Sequence, residues 1–394
     1  MNRLWSNVKG NLRVACACSV GMSLISPAMG QSEDWGGLSN GTNNTVNAAA
    51  MVQGTLYIGG TFTQADGQVV NRVAEWSGES WQPVTGPSGT GVASTVQVLM
   101  EFNGDLIVGG NFTTAGGVAA NRIARWDGNT WSAIGNGFNN NVLALTVYQG
   151  QLIAGGQFTM SGSTPVNRIA RWNGSEWLPF GDGFNNNVRA VTVYQGSLYA
   201  GGTFTASGDL IRNRIARWDG GLWQALGSGL PSPPNVFHVH NGLLYVGGSF
   251  ASAGGITGVG NIASWDGTDW GSVSSGLNGG INSLATYNGL LVAGGAFTTT
   301  GGAATVNLLR VATFDGENWF AFRSAGMNGE VGQLLAVNDT LYAFGAFGAA
   351  GPSVVNRVAF WPDSEPACPA DLTGDGSVNV FDLLQLLSAW GACP

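Results

Sequence analysis

An all-β chain of seven repeats closed into a ring is what the sequence predicts, and three observations predict it. The chain has 394 residues with 64 glycines and 15 tryptophans, and only 10% of it is charged. That profile suits sheets joined by tight turns, not a helical bundle or a disordered chain. A strand ending in a glycine pair and then x-Phe occurs as Gly59-Gly60-Thr61-Phe62 and again with phenylalanine at 112, 158, 204, 250 and 297. A seventh copy, Phe344-Gly345-Ala346-Phe347, lacks the first glycine; the spacings are 50, 46, 46, 46, 47 and 50 residues. Thirdly, six repeats carry a later strand marked by tryptophan, at 81, 131, 177, 223, 270 and 319, and the last repeat does not. The missing strand is found at the other end, in Asp34–Gly41, which follows the same pattern.

Each repeat divides into four strands. In the third, VLALTVYQG (142–150) alternates as a strand and closes on a glycine turn, and QLIAGGQF (151–158) is its hairpin partner. NRIARW (167–172) is expected as the third strand, Asn173-Gly174 as a tight turn and EWLPFG (176–181) as the fourth. Seven units of four antiparallel strands describe a β-propeller. If Asp34–Gly41 completes the last blade, the ring has no free edge.

The glycine pair, the downstream tryptophan and the period near 50 resemble the kelch class of propeller. The longer string NRIARWDG, followed by tryptophan and a Gly-x-Gly, is similar to kelch-like repeats of bacterial secreted proteins and fungal cortical polarity-marker proteins. The resemblance covers about 330 residues and speaks to fold, since propellers host enzymes, lectins and interaction modules alike.

Residues 1–30 read as a secretory signal. Arg3, Lys9 and Arg13 precede an apolar stretch, and small residues occupy the −3 and −1 places before Gln31. The apolar run is shorter than the roughly 20 residues of a spanning helix, so no membrane span is expected once the signal is removed. Secretion, a cell-surface position or the periplasm follows. The mature chain would carry 12 basic against 23 acidic residues, a balance that repels nucleic acid and anionic lipid. The domains expected are thus 1–30 signal, 31–362 propeller and 363–394 a small separate module.

That module carries explicit chemistry. Asp371, Thr373, Asp375, Asn379 and Asp382 place side-chain oxygens at positions 1, 3, 5, 9 and 12 of a calcium loop, Ser377 offers its carbonyl at position 7, and Gly376 makes the sharp turn. The stretch resembles a dockerin type I repeat, a calcium loop followed by one helix. Cohesin-binding dockerins carry two such repeats and usually Asn or Asp where Thr373 stands, so the resemblance implies a weaker calcium site and either a cohesin-like or another cell-surface partner. The alternative is a metal-free helix capped by Asn379. Cys368 and Cys393 bracket the module; an oxidising compartment favours their disulfide, and two free thiols are the alternative.

No catalytic residue stands out within the propeller. The arginines at 72, 122, 168, 214 and 357 recur in phase, which fits packing or hydrogen bonding between blades better than a single site. The Asp-Gly turns, such as Ser264-Trp265-Asp266-Gly267-Thr268-Asp269-Trp270, resemble the Asp-box of sialidase-type propellers, a turn element remote from catalysis. His238 and His240, two apart on one strand, share a face and could ligate a metal, but no third ligand is evident; an ordinary strand face is the plainer reading. Departures from the repeat within 83–97, 251–260 and 298–307 are the expected places for function. The expectation is a non-enzymatic binding protein for a protein or carbohydrate ligand on one propeller face. The alternatives are a propeller lectin and a carbohydrate-active protein, in the enzymatic case a glycoside-active hydrolase or lyase.

Overall fold

The computed structural model describes residues 34–303, 305–322 and 326–362. The signal at 1–30, the calcium loop from Asp371 to Asp382, and Cys368 and Cys393 all lie outside the described residues.

Seven four-stranded antiparallel sheets form the seven blades. In blade 3 the strands are Val142–Tyr148, Gln151–Gly156, Ile169–Trp172 and Trp177–Pro179, and the other blades repeat this taper from inner to outer strand. Neighbouring inner strands meet all round the ring, with Val331–Val337 of blade 7 against Val46–Val52 of blade 1. At that seam Gln333 accepts the amide of Ala49 and donates to its carbonyl. The expected closure is present: Gly36 and Gly37 pair with Phe360 and Ala359 as the outer strand of blade 7.

The first glycine of the pair sits where blades approach closely, and the second where the inner strand of its own blade crosses close to it. A Cβ on Gly109 would lie 2.8 Å from Val142 of the next blade, and one on Gly110 would lie 2.2 Å from the carbonyl of Thr95. The phenylalanine that follows is buried in every blade, as Phe62, Phe112 and Phe158 show. Residue burial on this scale is the main favourable term holding the ring.

NRIARW is not all strand, which corrects the expected boundary. The strand begins at Ile169, because Asn167 and Arg168 take left-handed backbone angles (φ 40° and 73°) that no ladder accommodates. The asparagine faces the segment leaving for the next blade, and in several blades the arginine does too, whereas Arg122 donates to Phe112 of its own blade. Asn167 donates to the carbonyl of Asp182, and Asn121 and Asn213 donate to the equivalent carbonyls of Asn136 and Ser228. Arg214, Arg310 and Arg357 donate through Nη1 to Leu230, Met327 and Thr42. Asn261 stands in the arginine place of blade 5 and reaches the matching carbonyl, Leu277, at 2.8 Å. From the far side, Trp177 and Trp223 donate Nε1 to Ile134 and Phe180 of the preceding blade, and Trp81 donates to Leu38 across the closure. The asparagines and arginines of the motif and the tryptophans of the fourth strand therefore tie each blade to the backbone of the segments between blades; the tryptophans share carbonyls that also accept a turn amide, as Ile134 does from Gly137.

Candidate functional site

The Asp-Gly turns serve the scaffold. The Oδ1 of Asp127, Asp219, Asp266 and Asp315 accepts the amides two and three residues on, and Asn173 does the same in blade 3. These bonds to the charged form hold the exposed carboxylates below the ordinary aspartate range. For Asp219, with Leu222 and Gly221 as the main donors, the value falls to about 2.

The three irregular segments are absorbed by the same scaffold. Residues 83–97 add a hairpin of Thr85–Gly86 with Gly89–Thr90. Residues 251–260 contain the hairpin Ser252–Ala253 with Ile256–Thr257, which has counterparts such as Thr114–Ala115 with Val118–Ala119. In 298–307 a single bridge between Thr299 and Asn307 takes the hairpin's place.

Sequence and geometry leave the repeat together elsewhere, where the inner strands of blades 5, 6 and 7 turn into their second strands. His238 Nε2 lies 2.8 Å and His240 Nδ1 2.9 Å from one atom, Thr286 Oγ1 of the neighbouring blade. The equivalents of the two histidines in blade 3 are Thr146 and Tyr148, and that of Thr286 is Val147. His238 is half-buried and His240 buried, the latter with its ring edge toward Tyr245 at 6.0 Å. Burial, with the second imidazole beside it, pushes His238 down to about 4; burial alone lowers His240. Both shifts favour the neutral ring. Among the described residues no three of His, Cys, Asp and Glu gather as a metal site.

Between blades 6 and 7 the same end of the ring opens into a cavity of about 210 Å³, lined by Thr286, Tyr287 and Asn288 on one side and Ala336 to Asp339 on the other. Asp339 is the departure that shapes it. Six blades have glycine at this turn position, such as Gly289, and Asp339 adopts the same left-handed angle, φ 58°, with a carboxylate in place of a hydrogen. Its carbonyl accepts the hydroxyl of Tyr287 at 3.4 Å. The wall is polar, with two asparagines, a threonine and a carboxylate. It presents hydrogen-bond donors and acceptors. Sequence reasoning singled out the histidines but not Thr286 or this cavity; the loss of the turn glycine at 339 was the available signal.

A smaller cleft of about 40 Å³ lies at the outer end of blade 4, where Trp218, Trp223 and Leu222 face Asp182.

A family model described as a domain of unknown function (DUF5122) beta-propeller matches residues 103–129. No curated protein matches the chain. Among solved structures, the chain is similar to the extracellular domain of the hybrid two component system BT4673 from B. thetaiotaomicron, at 14% identity and TM-score 0.55, covering 83% of this chain and 39% of that one. It is also similar to the WD40 beta propeller domain of Doa1, at 13% identity and TM-score 0.53, covering 84% of this chain and 97% of that one. These likenesses bear on the fold alone. Among the described residues no helix is long and apolar enough to cross a membrane.

Proposed function

We propose that this chain is an exported, non-enzymatic binding protein of kelch-like repeat type, whose ligand docks at the inner-strand turns of blades 5 to 7. The observation that carries the reading is the polar cavity between blades 6 and 7, where Asp339 replaces a turn glycine. A ring of equivalent sites would repeat in every blade; this one is unique in sequence, as a dedicated recognition site requires. The resemblance of residues 363–394 to a dockerin repeat makes the tail a calcium-binding attachment or sorting element, closed by a Cys368–Cys393 disulfide. The N-terminal segment is its export signal, which puts the site outside the cytoplasm.

Photo-crosslinking tests the docking face. A photoreactive residue at position 339 should form a discrete adduct with a component of the cell envelope or medium, and one at position 69, on an exposed hairpin, should not. Equal labelling at both positions, or none at 339, would sink the reading. For the tail, the full chain should bind one Ca²⁺ by calorimetry, and Asp371→Ala with Asp382→Ala should abolish the heat.

A second reading, carbohydrate binding, is favoured by the cleft of blade 4, where tryptophan and a carboxylate adjoin. It predicts signal on a glycan array that Trp218→Ala removes and calcium chelation leaves intact.

A further inference from the structure

We infer that His238, His240 and Thr286 form a chelating site for a divalent transition metal of the copper, nickel and zinc class, set between blades 5 and 6. The two imidazoles converge on one point. Residues two apart on a strand project to one face, and here both imidazoles also point a nitrogen at a single atom. A hydroxyl has one proton and two lone pairs, so it donates to at most one of the two ring nitrogens and accepts from a nitrogen that carries its own proton. Where the hydroxyl donates to one ring and accepts from the other, both rings carry the same tautomer, because the nitrogens that face it are Nε2 of His238 and Nδ1 of His240; one presents its lone pair at once and the other after its proton moves to the far ring nitrogen. The two rings are aimed as chelating donors are aimed, before any metal arrives, and imidazole nitrogen is the preferred donor for this class of ion.

The surroundings favour a low-coordinate, open site. His240 is buried against Tyr245, which fixes its ring, whereas the bond to His238 is exposed to solvent. No third His, Cys, Asp or Glu completes the set among the described residues, so the remaining positions fall to the Thr286 hydroxyl and water. Such a site binds more weakly than a structural zinc centre and keeps exchangeable positions. It follows the Irving–Williams order, with Cu²⁺ tightest. The repeat itself does not require these residues, since other blades fill the same places with Thr146, Tyr148 and Val147. Thr286 also lines the cavity of the binding reading above, but the metal site rests on the two imidazoles, which that cavity does not include.

The chain contains two histidines in all, so any imidazole signal reports this site alone. The test titrates the full-length oxidised chain with Cu²⁺ in saturating Ca²⁺ and reads pulsed electron paramagnetic resonance for imidazole nitrogen. One Cu²⁺ per chain bearing two imidazoles is expected. His238→Ala and His240→Ala should each weaken binding by about tenfold or more. Val239→Ala, at an exposed residue between the two histidines on the strand, should keep the two-imidazole signal and serves as the folded control. Copper without imidazole modulation, or affinity unchanged in both histidine variants, would overturn the site. So would two-imidazole binding retained in His238→Ala.

Discussion

Leu309 occupies the place that asparagine fills in blades 1 to 4 and 7, and it does so with a left-handed backbone (φ 48°) and 47% of its surface exposed. A leucine there bears the Cβ–carbonyl crowding that asparagine tolerates far better. Leu309→Asn is therefore expected to stabilise the protein by about 1 kcal/mol, seen as a rise in Tm. An unchanged or lowered Tm would show that the apolar side chain is needed where it is. The turn aspartates make an opposite kind of prediction. The carboxyl of Asp219 is held at about 2, below the ordinary 3.8, by backbone donors that exist only in the folded turn. As pH falls below 3.8 the unfolded chain takes up the proton first. The turn's contribution is therefore complete above that pH and is lost as pH approaches 2. Asp219→Asn keeps the acceptor oxygen, as Asn173 shows in blade 3, but does not titrate. The gap in unfolding midpoint between wild type and variant should change across that window; a gap constant with pH would remove the carboxylate from the account.

At the scale of the strand, the lost glycine of blade 7 is repaired from the opposite end of the chain. Where six blades have glycine facing the next inner strand, Phe344 is fully buried against Val46 and Ala49 of blade 1. In the other junctions a larger residue fills the Ala49 place, such as Leu99, which would lie 3.3 Å from a Cβ on Gly59, or Val191 opposite Gly155. The volume has moved from one strand to its neighbour. Phe344→Gly should cost about 3–5 kcal/mol through the cavity it leaves. Ala49→Leu alone should cost about 1–3 kcal/mol by overpacking. Together they rebuild the ordinary junction, so the double variant should be more stable than Phe344→Gly alone by urea unfolding. Simple addition of the two losses would refute the exchange. The missing glycine was legible in the sequence because repetition exposes any departure. Its compensation was not, because the alanine's meaning depends on a contact between the first blade and the last. The candidate site was hidden for the same reason: His238 and His240 could be read as sharing a face, but Thr286 belongs to the next blade.

For the whole molecule, the closing strand converts seven local hairpin stacks into one ring. Trp35 is buried, with its ring 5.6 Å from Trp361 and 5.2 Å from Phe322, and Leu38 accepts the indole of Trp81 in blade 1. Segment 34–41 therefore bonds both the last blade and the first. Arg357 and Asn356 add donors to Thr42 and Asn40 across the same seam. In a repeat array each unit is supported mainly by its neighbours, so a missing closure strips blade 7 of its outer strand and the seam with blade 1 of its bonds to Leu38 and Asn40. Trp35→Ala should cost about 3–5 kcal/mol by loss of buried aromatic volume. Removing 34–41 should do more, exposing Trp361 and Phe322 along an unpaired edge and driving chains to self-associate. A rearranged chain distinguishes closure from mere burial: it begins at 42, runs to 362, and passes through a four-residue turn into 34–41. It holds the same strand in the same sheet with a different covalent order, and should recover the Tm and the monomeric elution that the deletion loses. A deletion that stays monomeric with an unchanged Tm would mean that the ring does not depend on its seam.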